Sequence, residues 1–296
     1  MHINIGVFGD QELAKKLGKK DTSNDISIYS HSSSEGIYTF ICPNSEKVQP
    51  LLQVLNMIDV PVLVVRQLTK EIGEMIIGIN EMNFEKGFII TAENLGPLIK
   101  GTSLEKFKAV AEDAVWSEIL KLSMERKEES VSVPIDNYFN VKGIGTVILG
   151  IVQSGKVRLH DELLVEPLGK KVVIKGIQSH DKDILEAEVG TRVGLNLKGV
   201  EVDDLKRGFV IGKEMKKSSE LKIKFSKSRF FRQEINPGMQ IFLSVGLQVA
   251  TCIVESVGDE LKLKSNQDIA YKLGQRCIVA SQNDILPRIV GSGVIL

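Results

Sequence analysis

The chain reads Gly9-Asp10-Gln11-Glu12-Leu13-Ala14-Lys15-Lys16 after its first apolar run, where a phosphate-binding loop would lie. Such a loop follows the pattern G-x-x-x-x-G-K-[ST], because its glycines let backbone N–H groups wrap phosphates, its lysine neutralises them and its hydroxyl holds Mg²⁺. Gly9 and Lys15 fit the pattern, but Ala14 replaces the second glycine and Lys16 replaces the hydroxyl. We therefore expect this segment to be a relic that binds no phosphate–metal pair.

A second stretch, residues 222–232, combines five cations with three phenylalanines. Because apolar residues alternate with lysines at its start, Lys222 and Lys224 should share the outward face of a strand. Cations beside aromatic rings suit the phosphates and bases of RNA. The alternative is a solvated strand face whose phenylalanines fill a core. The candidate RNA-binding cations are Lys222, Lys224, Lys227, Arg229 and Arg232.

Length and composition set the limits of any function. A chain of 296 residues is long enough for two or three domains. The 38 basic and 38 acidic side chains cancel, so RNA contact would need a local patch. Three cysteines, far apart in sequence, show no metal-ligand spacing and are expected to be buried thiols. We expect a soluble, cytoplasmic protein with no metal site, no signal peptide and no membrane segment.

The first part of the chain alternates strand-like and helix-like segments, which is typical of an α/β domain. Apolar runs predict strands at 3–8, 37–42, 60–65 and 87–91, with helices at 46–57 and 69–79 between them. Residues 104–124 predict a long amphipathic helix, and residues 30–36 a polar loop. The charged run 125–129 is a natural linker, so the α/β domain is assigned to residues 1–126.

After Ser130 the pattern changes to short β-rich runs separated by Gly, Asp or Asn turns. This pattern predicts small barrels rather than further α/β structure. The polar stretch 213–219 suggests a boundary between two of them. The sequence therefore predicts one β-barrel domain over residues 131–213 and another over residues 219–296.

The run Ile135-Asp136-Asn137-Tyr138-Phe139-Asn140-Val141-Lys142-Gly143-Ile144-Gly145-Thr146-Val147 matches the pattern D-x-x-F-x-[IV]-x-G-x-G-T-V. It resembles the opening of the second domain of translational GTPases such as elongation factor Tu. The end of the chain, with residues 274–279 and 288–295, resembles the third domain, in the branch that holds the selenocysteine-specific factor SelB. The resemblance implies a degenerate P-loop GTPase-like (Rossmann-like) domain followed by two β-barrels, the equivalents of elongation factor Tu domains II and III.

The same resemblance implies that the remaining nucleotide motifs are lost. In translational GTPases a D-x-P-G-H motif follows the third strand, but this chain has Ile41-Cys42-Pro43-Asn44-Ser45, which keeps only the proline. The guanine-reading motif [NT]-K-x-D becomes Thr91-Ala92-Glu93-Asn94, with Asn94 in place of the aspartate. The relics of the nucleotide site are Gly9, Ala14, Lys15, Lys16, Ile41, Pro43 and Asn94. We expect no GTP or Mg²⁺ cofactor and no GTPase activity.

In the family, the second domain holds the aminoacylated 3′ end of tRNA. Alignment of the motifs assigns this role to a candidate pocket. Its acidic residue at position 136 and basic residue at position 192 fit the SelB branch. The alternative is a rim ion pair with Phe139 as plain core. The candidate pocket residues are Asp136, Asn137, Phe139, Gln178 and Arg192.

Two functions from different classes follow. The first is a SelB- or elongation factor Tu-like protein that binds tRNA or a tRNA-like RNA without GTP hydrolysis. The second is a protein-interaction subunit that docks on a true translational GTPase or on the ribosome.

Overall fold

The computed structural model describes residues 2–124, 129–283 and 285–296. The predicted order of an α/β domain followed by two β-barrels is confirmed. Most of the predicted linker, residues 125–128, lies outside the described residues. No helix in the described part of the chain is long and apolar enough to cross a membrane.

The α/β domain is built on a seven-stranded sheet in the order β2-β3-β4-β1-β5-β6-β7. Strands β4, β1, β5, β6 and β7 run parallel, and β2–β3 forms an antiparallel hairpin against β4. The strands are β1 His2–Phe8, β2 Lys19–Ser23, β3 Ile26–Ser32, β4 Ile37–Pro43, β5 Val60–Val65, β6 Phe88–Thr91 and β7 Lys108–Ala109. The helices are α1 Glu12–Leu17, α2 Val48–Met57, α3 Lys70–Met82, α4 Gly96–Ile99 and α5 Val115–Ile119.

The central strands are buried on both faces, which explains their continuous apolar runs. Helix α3 begins after Thr69, whose side chain accepts a hydrogen bond from the Ile72 N–H, and ends at Asn83 in the left-handed conformation. Ile72, Ile76 and Ile79 recur at helical spacing and are buried.

Two local predictions are wrong. Residues 104–124 form a 3₁₀ turn (Ser103–Lys106), the short strand β7 and the short helix α5 instead of one helix. Lys108 pairs with Phe88 of β6, so the apolar residues of this segment are buried by an edge strand and a short helix. The predicted polar loop at 30–36 is partly strand, because Ser30 to Ser32 pair with β4.

The middle domain is a closed barrel, because β11-β16-β8-β9-β15-β12 is completed by pairing of β11 with β12. Its strands are β8 Ser132–Val141, β9 Gly145–Ile151, β10 Lys156–Arg158, β11 Glu162–Glu166, β12 Lys170–Ser179, β13 Lys182–Asp183, β14 Glu186–Glu188, β15 Arg192–Lys198 and β16 Val210–Gly212. Alternate residues such as Val133, Ile135, Leu195 and Leu197 point into one apolar core. We call this domain barrel II.

The last domain, barrel III, is a closed six-stranded barrel in the order β17-β20-β19-β18-β21-β22. Its strands are β17 Lys216–Lys227, β18 Gln240–Val245, β19 Gln248–Val257, β20 Leu261–Tyr271, β21 Arg276–Ser281 and β22 Ile289–Ile295. Strand β17 starts inside the polar stretch where the sequence suggests a boundary. Cys252 and Cys277 are buried here and Cys42 in the α/β domain, and burial raises the pKa of the Cys42 thiol to about 12.

Candidate functional site: a relic nucleotide site and an interdomain groove

The relic phosphate loop lies where β1 ends and α1 begins. Gly9 has φ +89°, and a Cβ there would lie 2.0 Å from the Val64 carbonyl oxygen, so the close approach of two strands requires glycine. Ala14 is fully buried under the sheet. Helix α1 has only six residues, and its first N–H groups are partly taken by the Asp10 carboxylate, which accepts a hydrogen bond from the Glu12 N–H at 2.9 Å.

A network of ion pairs spans this end of the sheet. The Arg66 guanidinium, just after β5, donates to Asp10 at 3.0 Å and to Glu112. Lys16 Nζ lies 2.7 Å from the Glu112 carboxylate, and Lys15 Nζ lies 2.5 Å from Glu12. Hydrogen bonds from Lys16 and Arg66 lower the pKa of Glu112. The cations of the relic therefore bind the chain's own carboxylates.

Sequence reasoning missed Arg66 and Glu112. Neither belongs to a nucleotide motif, and their approach depends on how the carboxyl ends of β1, β5 and β7 meet.

The other relic residues serve the fold locally. Ile41 is fully buried in the core of the α/β domain, and Pro43 ends β4. Asn94 Oδ1 accepts a hydrogen bond from the Gly96 N–H at 3.1 Å, and Thr91 Oγ1 donates to the Val65 carbonyl at 3.1 Å. The Asn94 side chain thus closes the turn after β6, whereas the Thr91 hydroxyl bonds across to the end of β5.

A groove of about 550 Å³ separates the β2–β3 hairpin from barrel II. Its lining brings together Gln178 and Arg192, two of the predicted pocket residues, with cations that sequence reasoning missed. The full lining is Lys19, Lys20, Asp21, Thr22, Ser30, Ser32, Leu149, Gln178, Ser179, His180, Asp181, Arg192, Val193 and Gly194. We call this cavity the hairpin groove. The fold places Lys19 and Lys20 there because β2 extends the sheet toward barrel II.

Asp136 and Arg192 form a buried ion pair at the floor of the hairpin groove. Arg192 Nη1 and Nη2 donate to the two Asp136 oxygens at 2.5 and 3.2 Å, and each side chain is 7% exposed. Burial acts to lower the pKa of Arg192, but the charge and hydrogen bonds of Asp136 outweigh it, so this pKa is raised. Asp21 of the hairpin lies 3.8 Å from Arg192 Nε and adds a second negative charge.

The remaining pocket candidates are placed differently. Gln178 donates to Asp183 at 2.9 Å and stays exposed at the groove. Asn137 Oδ1 accepts a hydrogen bond from the Tyr138 N–H at 2.9 Å. Phe139 is 39% exposed, so the interpretation of this ring as plain core does not hold.

The candidate RNA patch lies on the outer surface of barrel III. Lys222, Lys224, Lys227 and Arg232 are exposed, while Arg229 donates to the Lys100 carbonyl at 2.8 Å and thereby contacts the α/β domain. Phe231 is 5% exposed in the barrel core and Phe225 packs on that core, whereas Phe230 packs on a cluster that includes residues of the α/β domain.

Strand pairing adds a cation to this patch. Lys262 of β20 lies directly opposite Lys222 of β17. Like charges in cross-strand positions are destabilising by roughly 0.2–1 kcal/mol. Sequence reasoning could not find this neighbour, since β17 and β20 are about forty residues apart and their register is set by barrel closure.

Across residues 2–124, 129–283 and 285–296, no group of three or more His, Cys, Asp or Glu side chains is arranged to hold a metal ion.

Comparison with known proteins shows which proteins this chain resembles. The family model described as "Elongation factor Tu domain 2" matches residues 145–212. The Methanocaldococcus jannaschii protein MJ0325 is 35% identical over 98% of both chains. The selenocysteine-specific elongation factor of the same organism is 29% identical over 82% of this chain, which spans 56% of that factor.

A solved structure gives the fold. The translation elongation factor SelB from Methanococcus maripaludis, in complex with the GTP analogue GppNHp, superimposes with a TM-score of 0.83. The match covers 99% of this chain and 78% of that one at 19% sequence identity. The chain therefore belongs to the family of protein MJ0325, a SelB-like relative of the translational GTPases.

Proposed function

We propose that this protein binds RNA, either tRNA or a tRNA-like RNA, as a SelB- or elongation factor Tu-type factor that does not hydrolyse GTP. One contrast carries the proposal. The ionic network of Asp10, Arg66, Glu112 and Lys16 occupies the phosphate end of the α/β sheet. The hairpin groove, by contrast, stays open above Arg192.

Chemistry supports the loss of GTP hydrolysis. Phosphoryl transfer depends on positioned backbone N–H groups, a lysine on the phosphates, a metal held by a hydroxyl and a residue that orients water. Here Lys15 pairs with Glu12, Lys16 replaces the hydroxyl and buried Ile41 stands in the segment where the family carries the metal-linked aspartate. Three requirements are unmet at two separate places, the loop of Lys15 and Lys16 and the segment of Ile41.

The first test is a calorimetric titration with GTP and Mg²⁺. We expect no heat of binding at millimolar nucleotide, because the cations at the relic are already paired with carboxylates. An intact SelB factor in the same buffer serves as the control. A saturable, magnesium-dependent heat would defeat the no-GTP part of the proposal.

The second test concerns RNA affinity. Lys222→Gln combined with Lys224→Gln should weaken tRNA binding about tenfold and reduce the slope of log K against log salt by roughly 1.4–1.8. Each lost phosphate contact contributes roughly 0.7 on a single strand and roughly 0.9 on a duplex. Filter binding at several salt concentrations measures both. Lys108→Gln with Lys121→Gln removes the same charge from the α/β domain, where both lysines pair with Glu118. Equal affinities for the two double variants would exclude the patch.

The second candidate function, docking on a translational GTPase or the ribosome, has one observation in its favour. At the β8–β9 turn of barrel II, Ile144 is 57% exposed and Phe139 39% exposed. Two exposed apolar side chains near one turn suit a protein contact. Cosedimentation with purified ribosomes that is lost in Ile144→Ser, without retention of free tRNA, would favour this function.

A further inference from the structure

A second interdomain cleft lies beside the hairpin groove and shares only Ser32, Ser179 and His180 with it. It has a volume of about 540 Å³ and lies between the edge of the α/β sheet, at His2 and Ile37, and strands β12 to β15 of barrel II. Its lining is His2, Ser32, Ile37, Ser179, His180, Lys182, Ile184, Glu186, Ala187, Glu188 and Thr191. We call it the lower cleft. It belongs neither to the relic nucleotide site nor to the Asp136–Arg192 pair.

Two residues that line the lower cleft each carry a buried polar atom without a hydrogen-bond partner within the described residues. Thr191 is only 3% exposed, and its Oγ1 is unpartnered. His180 Nε2 is also buried and unpartnered. A buried polar group without a partner destabilises a protein, so two of them on one cavity wall point to a ligand that supplies the missing partners.

The backbone at the same place is strained. His180 and Asp181 form the turn between β12 and β13 with φ values of +50° and +61°. A two-residue turn of this kind strongly prefers Asn-Gly, because side chains crowd the backbone in the left-handed region. Strain of this kind is concentrated at functional sites, where the rest of the fold stabilises it. Here one of the two strained residues, His180, lines the cleft and carries the unpartnered imidazole nitrogen.

The other walls define the kind of ligand. Ile37 from the α/β domain and Ile184 and Ala187 from barrel II make the lining partly apolar. A hydroxyl and an imidazole nitrogen between apolar walls suit a flat heterocycle with donors and acceptors along its edge.

The charges of the lower cleft indicate that the ligand also carries an anionic group. Glu188 is bound by Lys156 at 2.6 Å and Glu186 by Arg158 at 3.3 Å. Lys182 has no carboxylate within 4 Å in the described part of the chain, so its ammonium is available to a phosphate.

We propose that the lower cleft binds one unstacked nucleotide, with its base between the apolar walls, its edge at Thr191 and His180, and its phosphate near Lys182. The inference rests on the proposed function in one respect, because an RNA would supply that nucleotide. A free mononucleotide would fit the same side chains, and the experiment distinguishes this source from RNA.

The test uses variants whose effects on folding and on binding have opposite signs. Thr191→Val removes the unpartnered hydroxyl at constant shape, and His180→Asn places at φ +50° a residue that tolerates this conformation. Both should raise the melting temperature of the free protein and weaken nucleotide binding about tenfold, which is the loss expected for one hydrogen bond to a buried partner. Lys182→Gln should weaken binding without changing the melting temperature. Thr251→Val, on the half-buried outer face of barrel III, is the matched control and should leave affinity unchanged.

The probes are AMP, CMP, GMP and UMP by equilibrium dialysis and a short single-stranded RNA by fluorescence anisotropy. Higher melting temperature with lower affinity in both variants supports the proposal, and the tighter probe identifies the source of the nucleotide. Higher melting temperature with unchanged affinity overturns it, because the unpartnered atoms would then lower stability without serving a ligand. If tRNA binding responds to Lys222 and Lys224 but not to the cleft variants, the inference fails and the proposed function stands. If mononucleotides bind in this way but tRNA does not, the proposed function fails and the inference stands.

Discussion

Truncation of Glu74 to alanine should lower the free energy of unfolding by about 3–5 kcal/mol, the range for removing one partner of a buried ion pair. Glu74, on helix α3, is 3% exposed, and the Arg288 side chain of barrel III is 13% exposed. Arg288 Nη2 donates to Glu74 Oε2 at 2.5 Å, and Arg288 Nε lies 3.1 Å from each carboxylate oxygen. The Arg288 backbone N–H also donates to Oε1 at 2.6 Å. One carboxylate therefore stabilises both a guanidinium and a main-chain donor across two domains.

Urea denaturation of the wild type and three variants measures this effect. Glu74→Leu with Arg288→Met should recover only part of the loss. The desolvation cost of both charges disappears together with their attraction, but the backbone N–H of residue 288 loses its acceptor. Glu220→Ala removes an ion pair of 3.1 Å whose carboxylate side chain is 70% exposed, and it should cost under about 1 kcal/mol. A loss for Glu74→Ala no larger than for Glu220→Ala would mean that the two domains do not depend on this pair.

The Glu74–Arg288 pair lies at the edge of a hydrophobic core that the α/β domain and barrel III share. Apolar residues of α2 and α3 form one cluster with Leu247, Ile278, Ala280 and Ile289 of barrel III. Gln53 of α2 donates to the Leu247 carbonyl at 2.7 Å, and Asn56 donates to Ser244 at 2.9 Å. Because the helices bury their outer faces on the barrel, these two domains make one packed unit.

The sequence predicted the order of the domains well. Apolar residues that recur with a period of two or 3.6 residues indicate a strand or a helix locally, whatever the tertiary arrangement. The same signal failed at residues 104–124, where tertiary pairing of β7 with β6 overrides helical spacing. It also failed for the shared core. Apolar residues on α2 predict a buried face, but nothing in the chain says that a barrel two hundred residues later covers it.

The candidate site also contains residues that the sequence could predict and residues that it could not. The family motif located Asp136 and Arg192, fifty-six residues apart, and the structure pairs them. By contrast, the contribution of Asp21 depends on the β2–β3 hairpin, and the hairpin was not predicted because its strand β2 is polar and exposed. Arg66 and Lys262 were missed for a related reason. Each belongs to a candidate site only because of side chains that lie near it on other strands. Sequence patterns identify side chains, whereas sheet order and register decide which of them meet.

Asp136→Ala should cost about 3–5 kcal/mol of stability, because it leaves the Arg192 guanidinium buried without its bidentate partner. Asp21 lies 3.8 Å from Arg192 Nε and is 27% exposed, so it offsets part of this loss and we expect the lower end of the range. Asp21→Asn alone should cost no more than about 1 kcal/mol, the value for a partly exposed, longer contact. Thermal melts followed by circular dichroism at neutral pH order the three proteins as wild type, Asp21→Asn and Asp136→Ala.

A double variant separates folding from binding at the same place. Asp136→Leu with Arg192→Met should fold nearly as stably as the wild type, since it removes a buried pair as a unit. It also removes the charged floor of the hairpin groove, so tRNA affinity should fall if this groove holds the RNA 3′ end, the role that the family resemblance gives to the pocket of Asp136 and Arg192. A stable double variant with wild-type affinity would show that the pair serves the barrel alone. RNA binding would then depend on the other exposed cations assigned to RNA, which are Lys222 and Lys224 of barrel III and Lys182 at the lower cleft.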